Sequence, residues 1–142
     1  MATWIEIIST MSLAPRVLVI MPDQWRRSLL RAALREAGYD AIGARDMEDA
    51  ARYRVIEAGR GPVELVLVDQ DATANAMDDL RDILESHHDP PAVLLGHATH
   101  AAPAGPWSRI LGRPVSVADL VVAVQSELPL PIEGRHPLDP PH

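Results

Sequence analysis

The chain has no cysteine, no lysine and no phenylalanine, and none of its apolar runs is long. Each absence removes a class of explanation. Without cysteine there is no disulfide framework, thiolate metal site or cysteine nucleophile. No stretch approaches the ~20 apolar residues of a membrane span, so no membrane partner is expected. All 13 basic residues are arginine, set in a sequence rich in alanine and proline, so arginine in place of lysine is partly compositional. They face 20 acidic residues, for a net charge of −7, and are dispersed. Arg26, Arg27, Arg31 and Arg35 fit one solvated helix face rather than a stripe that tracks phosphates, so no nucleic-acid partner is expected. Gly59-Arg60-Gly61 is too short for a phosphate-binding loop and precedes a strand rather than a helix. No Ser–His–Asp grouping carries a nucleophile elbow, and no enzymatic activity is expected.

What is present is an ordinary globular composition, 47% hydrophobic over 142 residues, enough for one domain with a substantial core. Residues 1–14 read as an N-terminal extension, 15–128 as the domain and 129–142 as a loose Pro-rich tail. Thr3 to Ile8 is apolar but lacks the basic flank and cleavage site of a signal peptide, and the protein is expected to be cytoplasmic. Met11 reads as the true start, which would make residues 1–10 an upstream extension; the alternative is a short turn or strand that packs or mediates contacts.

Between the ends, strand and helix patterns alternate. Residues 16–21 form an apolar strand run. Residues 24–37 place Trp25, Leu29, Ala33 and Leu34 on one helical face, stopped by Gly38. A short strand spans 40–44. Asp46 then caps a helix with Met47, Ala50, Ala51 and Val55 inward, closing near Gly59. Strand 63–68 precedes a helix over 73–86 with Ala76, Leu80, Ile83 and Leu84 inward. Strands at 92–95 and 109–111 follow. Ser116 and Asp119 resemble a capping box that opens a last helix, with Leu120, Val121, Val124 and Leu128 inward. This alternation predicts an α/β fold: a flavodoxin-like, doubly wound, five-stranded parallel sheet of order 2-1-3-4-5. Strands covered on both faces agree with continuously apolar runs. The stretch between the last two strands contains Pro103, Gly105 and Pro106, so the helix expected there is reduced or absent.

In that topology Asp69, which closes the run 64–69, stands at the carboxyl end of the third strand, beside the end of the first. The chain resembles the response-regulator receiver domains of two-component signalling, CheY-like, over about residues 15–128. The likeness rests on Val17-Leu-Val-Ile20, Gly38-Tyr39, Leu65-Val-Leu-Val-Asp69 and Arg113-Pro114, where the family has Lys-Pro. The resemblance implies that Asp69 is the phosphoacceptor and that an acidic pair should hold Mg²⁺. By position that pair falls on Met21 and Pro22, the family hydroxyl on Gly96, its lysine on Arg113 and its switch aromatic on Ile110. Only Asp69 and Pro114 match.

Two readings follow. One is a pseudo-receiver that docks another signalling protein, or itself as a dimer, without phosphorylation and without a cofactor. The alternative is a working phosphoacceptor, phosphorylated on Asp69 by a histidine kinase with Mg²⁺. An Asp23–Asp69–Asp71 cluster would be its weak metal site; otherwise Asp23 caps the first helix and Asp71 the third, and Asp69 is kept ionised by backbone N–H groups or Arg113. Trp107 either anchors a partner or fills the space of the missing helix, and Ile110 is a second interface candidate. His87, His88, His97 and His100 read as exposed loop histidines, because zinc needs three or four convergent ligands.

Overall fold

A computed structural model describes residues 14–53, 61–97 and 99–130. The expectations for residues 1–13, for Val55 and Gly59, and for 131–142 lie outside these. Five strands, β1 (Arg16–Ile20), β2 (Asp40–Ala44), β3 (Leu65–Asp69), β4 (Ala92–Leu95) and β5 (Trp107–Leu111), form one parallel sheet of order β2-β1-β3-β4-β5. Among the described residues four helices accompany it: α1 (Gln24–Glu36), α2 (Met47–Ala50), α3 (Met77–Ser86) and α4 (Val117–Glu127).

Side chains alternate across a strand, so each apolar run feeds two cores. Leu18, Ile20, Val66, Val68 and Leu94 pack with Met47, Leu80 and Ile83 of α2 and α3. Val17, Val19, Leu65, Leu67 and Val93 pack with Leu30 and Leu34 of α1 and Leu120 and Val124 of α4. Every residue of β3 is buried, because it is central in the sheet and covered on both faces. No helix among the described residues is long and apolar enough to cross a membrane.

The helix starts follow local chemistry. Asp23 caps α1 by accepting the Arg26 N–H at 3.0 Å. Asp46 caps α2, and Ser116 with Asp119 forms a reciprocal capping box on α4. The inward face of α1 differs from the expected one. Leu30 and Leu34 are buried, whereas Trp25 is 73% and Leu29 43% exposed. Leu34 is inward as expected, but Leu30 joins it on the sheet in place of Trp25 and Leu29.

The arginine face also differs. Arg27 donates to the Met21 carbonyl at 2.6 Å and Arg31 to that of Ala41 at 3.4 Å. A Cβ on Gly43 would meet the Arg31 Cδ at 2.7 Å, so the alkyl stems of these arginines lie on the glycine of edge strand β2. Two of the four arginines therefore shield a sheet edge.

Helix α3 begins at Met77 rather than 73, because a 3₁₀ turn (Gln70–Ala72) follows β3 and Asn75 takes a left-handed φ of 55°. Among the described residues no helix lies between β4 and β5. Trp107 fills that side instead: its indole N–H donates to the Pro103 carbonyl at 2.9 Å, and the half-buried ring packs on the α3-side core. Trp107 is thus committed within the chain rather than displayed, while Ile110, two residues past Ser108, is 52% exposed.

The chain turns from α1 into β2 through Gly38 at φ +109°, and a Cβ there would lie 3.3 Å from Leu130 Cδ1. Leu130 packs against the α1/α4-side core, so the folded body runs past residue 128. Gly38→Ala is expected to lower unfolding free energy by about 1–2 kcal/mol through backbone strain, read from urea midpoints; an unchanged midpoint would mean the turn relaxes freely.

Candidate functional site

Parallel pairing sets Asp69 opposite Leu95, one residue beyond the Ile20–Val68 pair, so it emerges beside Met21 where the sheet order reverses. It is 2% exposed. Both of its carboxylate oxygens are engaged. Oδ1 accepts the Asp71 N–H at 2.9 Å and so caps the 3₁₀ turn. Oδ2 accepts from Arg113 Nη2 at 2.5 Å. The other Arg113 terminal nitrogen lies 3.8 Å from Asp71 Oδ2. Arg113 is carried by the turn after β5, joined to Pro114 by a cis peptide bond. Its Nε is buried with no hydrogen-bond partner among the described residues. The geometry provides both partners considered for Asp69, a backbone N–H and Arg113.

The acidic residues do not converge. Asp23 is spent on the α1 cap. Asp71 does not cap α3, whose N-cap position is Ala76 with no side-chain bond. It faces Arg113 and, at 3.7 Å, His97 Nε2. The reason is the 3₁₀ turn, which inserts residues between Asp71 and the helix. Met21 is 1% exposed and turned into the α1/α4-side core, and Pro22 has no side-chain oxygen. Among the described residues no group of three or more His, Asp or Glu could hold a metal ion. Magnesium asks for several hard oxygens; the side chains here are a thioether, a proline ring with no donor atom, and one carboxylate already closed by a guanidinium. The pocket does not fit that ion.

Sequence reasoning missed Gln70. Its Oε1 accepts the His97 N–H at 2.7 Å and its Nε2 donates to the Ala101 carbonyl at 2.7 Å. This one amide ties the turn after β3 to the chain after β4. A Cβ on Gly96 would lie 3.8 Å from Gln70 Oε1, so the amide borders the place where the family hydroxyl would stand. The only sequence signal was a side chain that both donates and accepts, placed directly after the acid.

The histidines divide. His88 is exposed, but His87 is 2% exposed, a correction to its reading as a loop histidine. It sits at the end of α3, where its ring closes on backbone: Nδ1 accepts the Val63 N–H at 3.1 Å and Nε2 is 3.0 Å from the Tyr53 carbonyl. Burial lowers its pKa, with Arg16 and His88 adding to the effect against the hydrogen bond to Tyr53. His97 and His100 stack edge to face, with Nδ1 atoms 3.0 Å apart. Two imidazoles fall short of the zinc requirement.

No family model matches the chain. Over 60 residues it is 47% identical to the transcriptional regulatory protein AruR of Pseudomonas aeruginosa; the match spans 42% of this chain and 25% of that regulator. Among solved structures, a response regulator receiver protein from Pseudomonas putida superposes with a TM-score of 0.64 at 25% identity, covering 80% of this chain and 98% of that one. The non-phosphorylated HemR receiver domain of Leptospira biflexa superposes with a TM-score of 0.65 at 19% identity, covering 82% and 96%. With the strand order β2-β1-β3-β4-β5 and an acid at the end of β3, the chain has the fold of a response regulator receiver domain.

Proposed function

We propose that this chain is a phosphorylation-independent receiver, a cytoplasmic, non-catalytic module that acts by docking another signalling protein or a second copy of itself. The observation that carries this reading is the closed ion pair of Asp69 with Arg113. Phosphoryl transfer to a carboxylate needs an oxygen that phosphorus can approach and a metal cation that neutralises the incoming oxygens. Here one Asp69 oxygen holds a backbone N–H, the other holds a guanidinium, and the positions for metal carboxylates are Met21 and Pro22. The guanidinium supplies positive charge to the pocket permanently, so the acid is held in one state rather than switched. The partial match to a transcriptional regulator is consistent with a docking role in gene regulation.

Incubating the chain with acetyl phosphate and Mg²⁺ and measuring its intact mass tests this. The expected spectrum is unchanged. An added phosphoryl mass in the wild type that disappears in Asp69→Asn would establish the working phosphoacceptor instead.

A further inference from the structure

An apolar cleft lies beside Arg113, the partner of Asp69. It encloses about 320 Å³ between the end of β1, α1 and the start of α4, with Met21, Leu30, Leu95 and Leu120 among its walls. This is the lower end of the size range of small-molecule pockets, which combine apolar walls with a few placed polar groups. The polar groups here are two guanidiniums, Arg26 and Arg113. Arg113 shares its charge with Asp69 and Asp71. The Arg26 side chain makes no hydrogen bond or ion pair among the described residues. The cleft therefore joins apolar walls to a solvent-exposed guanidinium without a protein partner among the described residues, plus the buried, unpartnered Nε of Arg113.

We infer that the cleft binds a small organic monoanion: a carboxylic acid with an aromatic or branched aliphatic body. The apolar walls would take the body, and a guanidinium suits a carboxylate because its planar fork offers two parallel donors. A free phosphate matches less well, since it carries more charge and no apolar surface. Arg113 both lines the cleft and holds Asp69, so an occupant that draws on Arg113 would loosen that pair. Binding would then be felt at the carboxyl end of the sheet, where a partner could sense it. The inference goes beyond the docking role and does not depend on whether Asp69 accepts phosphate.

The test uses 4-phenylbutyrate as probe, 4-phenylbutyramide as its neutral counterpart, and ligand-observed NMR with titration of the intact chain. Saturable binding is expected, weakened about tenfold or more for the amide and in Arg26→Gln, the amount expected for one charge-assisted contact. Val117→Trp, which would place an indole in the cleft, should abolish it, with circular dichroism confirming that the variant folds. No saturation up to about 5 mM, a limit near −3 kcal/mol of binding free energy, would overturn the inference. So would equal binding of acid and amide, wild-type binding in both variants, or displacement by equimolar inorganic phosphate. None of these outcomes involves a phosphodonor, so they are read separately from the phosphorylation experiment.

Discussion

Replacing Asp69 with alanine should destabilise the fold by roughly 3–5 kcal/mol, the range for breaking a buried ion pair from one side. The Asp69 side chain is 4% and that of Arg113 18% exposed, so the variant leaves a guanidinium largely shut away from water without its main partner. It also removes the cap of the 3₁₀ turn after β3. The sign is the informative part. In a receiver built around a cluster of carboxylates, those groups repel one another, and deleting one relieves the repulsion. Such a domain should gain stability or hold it when the acceptor is removed. Here the acid is a counterion, and loss is expected. Asp69→Leu combined with Arg113→Met should recover much of the loss, because no buried charge remains; the lost cap on the Asp71 N–H keeps the recovery short of complete. Urea denaturation of the single and double variants measures both statements. An Asp69→Ala variant as stable as wild type would show that the pair contributes nothing and would remove the structural role assigned to it.

The two roles of Asp69, counterion of Arg113 and cap of the 3₁₀ turn, show which parts of the molecule are legible in the sequence. The sheet was legible because each strand run is apolar on both faces, and alternation with helices leaves few topologies. Asp69 was legible because it ends such a run, and Arg113 because it precedes Pro114. The Asp23, Asp46 and Ser116 caps were legible because a cap depends on neighbours within a few residues. What failed needed information from elsewhere in the chain. The apolar positions of α1 support two overlapping stripes that share Leu34, and only packing on the sheet and α4 selects Leu30 over Trp25 and Leu29. Asp71 was assigned to a helix cap because the 3₁₀ turn that separates it from α3 is invisible to periodicity. The link from Gln70 to His97 and Ala101 joins segments 27 and 31 residues apart, and no local rule reaches that far.

The missing helix between β4 and β5 shows the same division at larger scale. Pro103, Gly105 and Pro106 made its absence readable. Of the two roles the sequence allows Trp107, the structure selects the filling one. Trp107 moves into the strand, opening β5 two residues earlier than expected, and leans on Pro103 and the α3-side core. An indole covers part of the sheet face that a helix would have covered, and Ile110 remains exposed on the uncovered part. The surface at this side of the sheet is therefore built from Trp107 and Ile110 rather than from a helix.

His87 should make the fold sensitive to acid, and His87→Ala should cost about 2–4 kcal/mol at neutral pH. Val63 N–H can only donate, so Nδ1 must be unprotonated and Nε2–H must donate to Tyr53; the ring is held in one neutral tautomer. Protonation would place an Nδ1–H against the Val63 N–H inside the core. Burial accordingly lowers the pKa of the folded state below the ordinary value of about 6.5. With the folded pKa depressed, the unfolded chain binds the proton first as pH falls. Stability is therefore fully present above about pH 6.5, declines as pH drops toward the folded-state pKa, and levels off below it. Urea midpoints collected from about pH 8 down to about pH 5 should trace this decline in the wild type. In His87→Ala the midpoint should start lower, because the Val63 N–H and the Tyr53 carbonyl are left unpaired beside a cavity. It should also lose most of its slope over that window, since His88 and His100 are exposed and His97 lies at the surface of the opposite end of the sheet. An unchanged slope in the variant would assign the acid sensitivity to another group and show that the His87 contacts break without cost.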